Sequence, residues 1–382
     1  MLLYWIWLAT RPELKDREKL AVLERFGTAE DVYYASGAAF AGVEALSAAG
    51  WQCLQDKQLK DAQKIVTDCA RKRISILTWQ DSTYPSKLRS ISDPPLVLYY
   101  KGKLPVFDEE PVVGIVGTRK ASAYGLAAAA RIGKEIAQSG GLVVSGMAEG
   151  IDAMATEGAL SQGKTAVGVL GCGVDRIYPF SNRVLFRKME QQGCLISEYP
   201  PGTPPNRWNF PRRNRIISGV SNGTVIVEAP EVSGALITAR QSLEQGRDVF
   251  VVPGNIDAPT CAGSNKLLRD GAMAALCGWD VLREYEALYP DKIQKQKEAS
   301  VEQPDKKDID NLQTPSYIDL ETTADFSDDE RTVLQKMKAG EQNVDDVIAD
   351  SGLSPAAVLA ALTMLEIKGC VQTLPGRRVI KK

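Results

Sequence analysis

Between about residue 110 and residue 252, short apolar runs alternate with helical stretches. Strands buried on both faces of a parallel sheet have such apolar runs, and the intervening helices provide the crossovers that parallel pairing needs. The alternation therefore predicts an α/β fold built on a doubly wound parallel sheet. The predicted strands are Val112–Val116, Leu142–Ser145, Thr165–Leu170, Val225–Glu228 and Val249–Val252, with helices at Leu126–Gln138 and Ile151–Leu160.

Three of these strands end in glycine-rich loops, which a Rossmann-like sheet would gather at its carboxyl edge, where such folds bind ligands. Glycine allows close approach to a ligand, and the helix starts that follow offer free N–H groups suited to phosphate. The alternative for the first loop is a plain strand-to-helix turn with a surface arginine. After Val225–Glu228, Ser233 would line the same pocket or simply cap a helix. The candidate residues are Gly117, Arg119, Ser122, Ser145, Gly146, Gly150, Gly171 and Ser233.

The segment 207–215 is strongly basic and contains two aromatic residues, Trp208 and Phe210. Cations that contact phosphates next to rings that stack on bases are typical of single-strand binding. A solvated basic loop whose aromatic residues belong to the core is the alternative. The candidate residues here are Arg207, Arg212, Arg213, Asn214 and Arg215.

Composition excludes several classes of site. The chain has no histidine, which rules out Ser-His-Asp and Cys-His catalysis and removes the commonest metal ligand. Seven scattered cysteines form no C-x-x-C pair, so reduced thiols in the cytoplasm are expected, with no disulfide framework and no metal. A net charge of -2 means that any nucleic-acid site is a local patch.

One apparent phosphate motif is rejected. Gly158, Gly163, Lys164 and Thr165 fit the P-loop pattern. A P-loop needs a strand before it and a helix after it, whereas here a helix precedes and a strand follows. We expect an ordinary helix-to-strand turn and no bound nucleotide cofactor.

The flanking regions predict additional domains. We expect a helical domain at 1–75, the Rossmann-like core with an N-terminal extension at 76–288, a charged linker at 289–325 and a winged-helix domain at 326–382. The apolar N-terminus lacks the features of a secretory signal, and no apolar run is long enough to span a membrane.

The segments GIVGTRKASAYG, SGMAEGID, FPRRNRIISG, VEAPEVSGALITA and VPG…GSNKLLRDGA occur in the order found in the DNA-processing protein A (DprA/Smf) family, which residues 80–285 strongly resemble. The N-terminus looks like that family's sterile-alpha-motif-like domain and the C-terminus like its winged helix. The resemblance implies a dimeric protein that binds single-stranded DNA and loads the RecA recombinase during natural transformation. It implies that Arg119 contacts phosphate, and that Ser122, Ser145, Gly146 and the 212–215 run line the pocket.

Two positions depart from the family pattern. Thr156 replaces a usual histidine, which should matter little because no proton transfer is proposed. Phe180 stands where a lysine often follows the Tyr-Pro pair. That change would weaken one phosphate contact unless Arg176 or Arg183 compensates, and Phe180 could instead stack on a base.

Two other functions remain as alternatives. A phosphoribohydrolase-like enzyme would use Asp152 or Glu228, although the chain lacks the P-G-G-x-G-T loop of those enzymes. A regulator would bind DNA through its winged helix, but the predicted helix Pro355–Lys368 is poor in basic residues. The prediction is therefore a non-catalytic, single-stranded-DNA-binding protein of the cytoplasm, with RecA and a second copy of itself as partners.

Overall fold

The computed structural model describes residues 1–295, 327–337, 340–367, 370–374, 376 and 378–381. The chain forms two compact units divided at residue 299. Most of the predicted linker lies outside the described residues. Its first residues pack on the first unit: Ile293 is buried, and Lys292 Nζ lies 2.7 Å from Glu110 Oε1. The packed core therefore continues at least to Ile293.

The N-terminal region is helical, as predicted. Asp16–Phe26 ends at Gly27, whose φ of 89° is open to glycine and strained for other residues. Trp5, Trp7 and Val22 belong to the same hydrophobic cluster as one face of the sheet, so these helices share its core. The helices are α1 Leu2–Ala9, α2 Asp16–Phe26, α3 Ala29–Tyr34, α4 Ala48–Gln55 and α5 Lys60–Lys72.

Within residues 1–295, nine strands form one sheet in the order β1-β2-β6-β5-β4-β3-β7-β8-β9. β1 and β2 are antiparallel, β2 and β6 are also antiparallel, and every pairing from β6 to β9 is parallel. This confirms the Rossmann-like prediction. The strands are β1 Ser75–Thr78, β2 Val97–Gly102, β3 Val112–Val116, β4 Leu142–Ser145, β5 Ala166–Val169, β6 Cys194–Ser197, β7 Gly223–Ile226, β8 Asp248–Val251 and β9 Met273–Ala274.

Helices cover both faces of the sheet. They are α6 Ser86–Arg89, α7 Ala123–Gln138, α8 Ile151–Leu160, α9 Arg183–Gln192, α10 Asn209–Val220, α11 Gly234–Glu244, α12 Ala262–Arg269 and α13 Gly278–Leu282. Short 3-10 turns lie at Gly37–Gly42, Phe107–Glu109, Phe180–Asn182, Pro259–Cys261 and Arg283–Tyr285.

Alternation along the strands assigns side chains to the two faces. Val113 and Ile115 of β3 join the cluster under α7 and α8, whereas Val112 and Val116 join the cluster under α10 and α11. Both faces are apolar, which explains why the parallel strands read as continuous apolar runs.

The second unit is a winged helix, as predicted. Ser327 caps α14 in a capping box, with Ser327 N–H donating to Glu330 Oε2 over 2.9 Å. Val333, Val347 and Leu365 form its core. The elements are α14 Asp328–Lys336, β10 Glu341–Asn343, α15 Val344–Ser351, α16 Pro355–Ile367, β11 Val371–Leu374 and β12 Arg378–Lys381, with an antiparallel sheet ordered β10-β12-β11.

Within the part of the chain that the structure describes, no single helix is long and apolar enough to cross a membrane. Two consecutive helices reach that length and hydropathy only when taken together, and they are bent by 115° relative to each other: Val344–Ser351 and Pro355–Glu366.

Candidate functional site

A cavity of about 610 Å³ lies at the carboxyl ends of β3 and β7. These strands are neighbours, but the chain proceeds from β3 towards β4 and from β7 towards β8, on opposite sides. Such a switch point is where open α/β sheets bind ligands, because the diverging loops leave a crevice. We call this the switch-point cavity; it is lined by Gly117–Lys120 after β3, Pro230 and 232–235 after β7, and residues 210, 211, 213 and 214 of α10.

The loop after β3 is held by Glu228, a buried residue that follows β7. Thr118 N–H donates to the Glu228 backbone oxygen over 2.8 Å, and Ser122 N–H donates to its Oε2 over 2.9 Å. The Ser122 hydroxyl donates to Oε1 and also accepts from Gly125 N–H, capping α7. Ser122 is therefore committed to Glu228 and to its own helix.

The loop after β4 is organised around Asp152. This buried carboxylate accepts an N–H bond from Gly146 over 3.0 Å, and the backbone N–H groups of Gly117 and Ala148 lie close enough to lower its pKa. Burial raises the pKa of Asp152, and nearby Arg213 acts in the opposite direction. Burial also lowers the pKa of Arg213 to about 10, which leaves it a cation at neutral pH.

Two loop glycines are required by close packing. A Cβ on Gly117 would lie 2.5 Å from Ile151 Cγ1. Gly150 has a φ of 76°, and a Cβ there would lie 2.6 Å from the Thr118 oxygen. These glycines let the loops after β3 and β4 pack against each other.

A layered set of side chains lies over the cavity. The Phe210 ring is 5.4 Å from the Tyr178 ring, centroid to centroid, and Arg119 Cζ is 5.6 Å from the Phe210 centroid. Gly171 makes room for this arrangement, because a Cβ there would lie 2.8 Å from Phe210 Cδ1. Phe210 is thus a half-buried ring with a cation on it, and it borders the cavity.

Three exposed cations line the cavity without carboxylate partners among the described residues. Arg119, Lys120 and Arg207 are all exposed. Arg207 Cζ lies 4.5 Å from the centroid of Trp208, which is 69% exposed. These cations are available to an anionic ligand, and Trp208 offers a second ring at the rim.

The other arginines of the 207–215 segment have partners. Arg212 Nη2 donates to Asp16 Oδ1 and Oδ2 over 2.9 and 2.7 Å, and its Nε lies 3.5 Å from Glu198 Oε2. Arg215 is buried, with Nη2 2.5 Å from Glu198 Oε2 and Nε 3.0 Å from Asp93 Oδ2. Neither borders the cavity, because successive residues of a helix point about 100° apart.

The structure gathers half of the predicted site residues at one place. Gly117, Arg119, Arg207, Arg213, Asn214 and Ser233 line the switch-point cavity, and Gly146 lines an adjoining cavity of about 50 Å³. The predicted residues outside both linings are Ser122, Ser145, Gly150, Gly171, Phe180, Arg212 and Arg215. Their contact with a ligand stays a prediction.

Some of these residues have clear local roles. Ser145 is buried and donates to the Ile115 oxygen over 2.6 Å. Phe180 is 70% exposed with Arg183 Cζ 5.3 Å from its ring centroid, a pair lying outside the cavity. Thr156, one of the departures from the family pattern, is buried, and its hydroxyl donates to the backbone oxygen of Asp152 over 2.8 Å.

Sequence reasoning missed several cavity residues. Lys120 follows Arg119 directly, so its place beside the predicted loop was a usable signal. Tyr178 comes after β5, whose loop was already assigned to the carboxyl edge. Thr260 gave no signal, because it comes from a distant turn before α12.

The two carboxylates that a hydrolase would use are hydrogen-bonded to the loops after β3 and β4. Glu228 binds the Ser122 backbone and hydroxyl, and Asp152 binds the Gly146 N–H. Among the described residues, no group of three potential metal ligands occurs.

Fold and site define a Rossmann-like α/β protein with a cationic, aromatic-lined cavity at its switch point and an appended winged helix. A family model for DNA recombination-mediator protein A matches residues 75–286, and one for the DprA winged helix domain matches residues 319–377. The chain belongs to the DprA/Smf family of DNA-processing, recombination-mediator proteins.

Proteins of this family are similar in sequence over much of the chain. It is 43% identical over 211 residues to DNA processing protein DprA of Bacillus subtilis, covering 55% of this chain and 71% of that one. It is 37% identical over 319 residues to Protein Smf of Synechocystis, covering 81% of this chain and 80% of that one.

Solved structures share the fold. DNA processing protein A from Streptococcus pneumoniae superposes with a TM-score of 0.66 at 31% identity, covering 74% of this chain and 98% of that one. The protein from Helicobacter pylori, whose structural study concerns its single-stranded DNA binding mode, gives a TM-score of 0.51 at 28% identity, covering 58% and 97%.

Proposed function

We propose that this chain binds single-stranded DNA in the switch-point cavity, with phosphates at Arg119, Lys120 and Arg207 and bases on Phe210 and Trp208. One observation carries the proposal: Arg119, an exposed cation without a carboxylate partner among the described residues, lies on the face of Phe210 at the sheet's switch point. A cation beside a stacking ring is the arrangement that a sugar-phosphate backbone with accessible bases requires.

Binding should be largely independent of base sequence. Stacking on aromatic rings is tolerant because every base has a π-face, and phosphate contacts carry no sequence information. Duplex DNA should bind more weakly, since its bases are already stacked and paired.

The cellular role that we propose is that of a recombination mediator. Family membership supports a protein that protects single strands and loads the RecA recombinase onto them, in natural transformation and recombination, as a homodimer in the cytoplasm. This role requires no catalytic step. The engagement of Asp152 and Glu228 in loop structure supports this choice over a hydrolase.

The test is fluorescence anisotropy with labelled oligo-dT, oligo-dA and oligo-dC, and with a duplex of equal length. Comparable affinity for the single strands and weaker duplex binding would support the proposal. Equal binding to single strands and duplex would contradict it. RecA loading is tested by measuring RecA filament growth on a single strand coated with single-strand-binding protein, with and without this chain; no acceleration would contradict that part.

A further inference from the structure

We propose that Asp152 and Arg213 act as a positioning pair that fixes the loops of the switch-point cavity, and that neither side chain contacts bound DNA. This rests on the proposed function. Both residues border the cavity, but only 5% of Asp152 and 4% of Arg213 is exposed, too little for a phosphate to reach either charge. Their hydrogen bonds run instead to the backbone of the surrounding loops.

Asp152 joins the first two loops. It lies in the first turn of α8, and its carboxylate accepts an N–H bond from Gly146 in the loop after β4, where the Ala148 N–H also lowers its pKa. The backbone N–H of Gly117, in the loop after β3, lies close enough to this carboxylate to lower its pKa. One carboxylate therefore sets the spacing between the loop that carries Arg119 and its neighbour.

Arg213 joins the second loop to a third strand. Its Nη1 donates to the Gly146 oxygen over 2.6 Å and also to the Val169 oxygen at the end of β5. Its Nε donates to Asn214 Oδ1 over 3.1 Å. Because Arg213 belongs to α10, these bonds also fix the helix that carries Phe210.

Gly146 lies next to both charges. A Cβ on this residue would be 2.5 Å from Asp152 Oδ2 and 2.6 Å from Arg213 Nη2. Because both charges lie beside Gly146, each shifts the pKa of the other towards its charged form. Because Gly146 has no side chain, the Asp152 carboxylate and the Arg213 guanidinium can both lie against this loop.

The burial of both charges predicts how they respond to substitution. Removing one member leaves an uncompensated buried charge, whereas removing both leaves none. The losses caused by the two single changes should therefore not add. A direct phosphate ligand behaves differently, because it also contributes to the salt dependence of binding.

The experiment measures oligo-dT affinity across a salt series for Asp152→Asn, Arg213→Met, the double variant and Arg119→Ala. We expect each single change to weaken binding on the order of tenfold, the usual effect of losing a supporting group behind a binding residue. The slope of log affinity against log salt should stay at its wild-type value, and the double variant should lose less than the product of the single losses.

Hydrogen exchange followed by mass spectrometry distinguishes positioning from general destabilisation. In Asp152→Asn, exchange should increase in peptides covering 112–122 and 142–152 and stay unchanged in 183–197. Faster exchange in all three regions would overturn the positioning role. If Arg213→Met does not fold, Arg213→Lys replaces it, with weaker binding at unchanged slope expected and wild-type affinity overturning the proposal.

The salt series separates the two proposals. If wild type does not bind oligo-dT, the proposed function fails. If wild type binds and Arg119→Ala and Arg213→Met lower the slope equally, Arg213 is a phosphate ligand. The positioning pair is then wrong, while the proposed function stands.

Discussion

Arg212 of α10 and Asp16 of α2 form a two-pronged ion pair, with Arg212 Nη2 2.9 and 2.7 Å from the two carboxylate oxygens. Glu198 lies on the other side of the same guanidinium, 3.5 Å from Nε. The Arg212 guanidinium is therefore already neutralised by Asp16 of the N-terminal helices and by Glu198, which follows β6. Its neighbour Arg213 is buried among loop carbonyls instead.

This pairing predicts that Arg212→Ala leaves the salt dependence of DNA binding unchanged. Counterion release counts only the charges that neutralise phosphates, and Arg212 is already occupied by Asp16 and Glu198. The measurement is oligo-dT affinity from about 50 mM to about 500 mM salt. A slope lowered by about 0.7, the value of one single-strand phosphate contact, would show that Arg212 exchanges Asp16 for DNA.

The buried pair Arg215–Glu198 should be important for stability. Both side chains are less than a tenth exposed, and Nη2 lies 2.5 Å from Oε2. Glu198→Gln should lower the free energy of unfolding by about 3–5 kcal/mol, because a buried guanidinium loses its anion and keeps only the exposed Asp93. Urea denaturation measures this.

The exposed pair Arg240–Glu244 provides the matched control for that change. Glu244→Gln should cost no more than about 1 kcal/mol, as exposed ion pairs usually do. Equal costs for the two substitutions would contradict the assignment of Glu198 to a buried pair.

Phe210 should account for a distinct part of DNA affinity. Phe210→Ala removes the ring that Arg119 and Tyr178 contact, and we expect a loss of roughly 1–3 kcal/mol of binding free energy, the contribution of one stacked base. The salt slope should be retained, because no charge is removed. Anisotropy titrations with oligo-dT measure both quantities.

Gly171→Ala tests the same ring indirectly, since its Cβ would displace Phe210. It should weaken DNA binding in the same direction. Gly42→Ala is its control, because a Cβ there meets no atom within 4 Å. An unchanged affinity in both Phe210→Ala and Gly171→Ala would show that DNA does not stack at this position.

Glu18 predicts a specific acid sensitivity of the N-terminal helices. Its Oε2 accepts from Lys15 N–H over 2.7 Å and its Oε1 from Ser47 N–H over 2.8 Å. Burial acts to raise the pKa of Glu18, but the bonds from Ser47 and Lys15 outweigh it, so the pKa lies below its ordinary value. A carboxylate whose pKa is lowered in the folded state stabilises the fold above its unfolded-state pKa. This stabilisation is lost as the pH falls through the folded-state pKa.

The stability advantage of wild type over Glu18→Gln should therefore be largest at about pH 6 and shrink towards about pH 3. Urea unfolding at each pH measures it. A difference between the two proteins that is constant across this range would contradict the role of the ionised carboxylate.

The parallel core was predictable because its strands are uniformly apolar and its loops rich in glycine. Val112–Val116, Leu142–Ser145 and Ile151–Leu160 match the structure residue for residue. Strand Cys194–Ser197 was missed, since four residues beside Gly193 carry little pattern, and so was the short strand Glu341–Asn343.

The site was predictable only in part. The carboxyl-edge rule located Gly117, Arg119 and Gly146, but the run of arginines could not be divided into free and paired members. That division depends on Asp16, Asp93 and Glu198, which are far from α10 in sequence and near it in space.

DNA binding in the switch-point cavity is tested by the salt dependence of oligo-dT binding by Arg119→Ala, compared with Arg71→Ala, which removes an exposed arginine from α5. We expect Arg119→Ala to weaken binding by roughly 10–100-fold, as for a charged hydrogen bond, and to lower the slope by about 0.7. Arg71→Ala should behave as wild type. Wild-type affinity and slope in Arg119→Ala would contradict the claim that single-stranded DNA binds in the switch-point cavity.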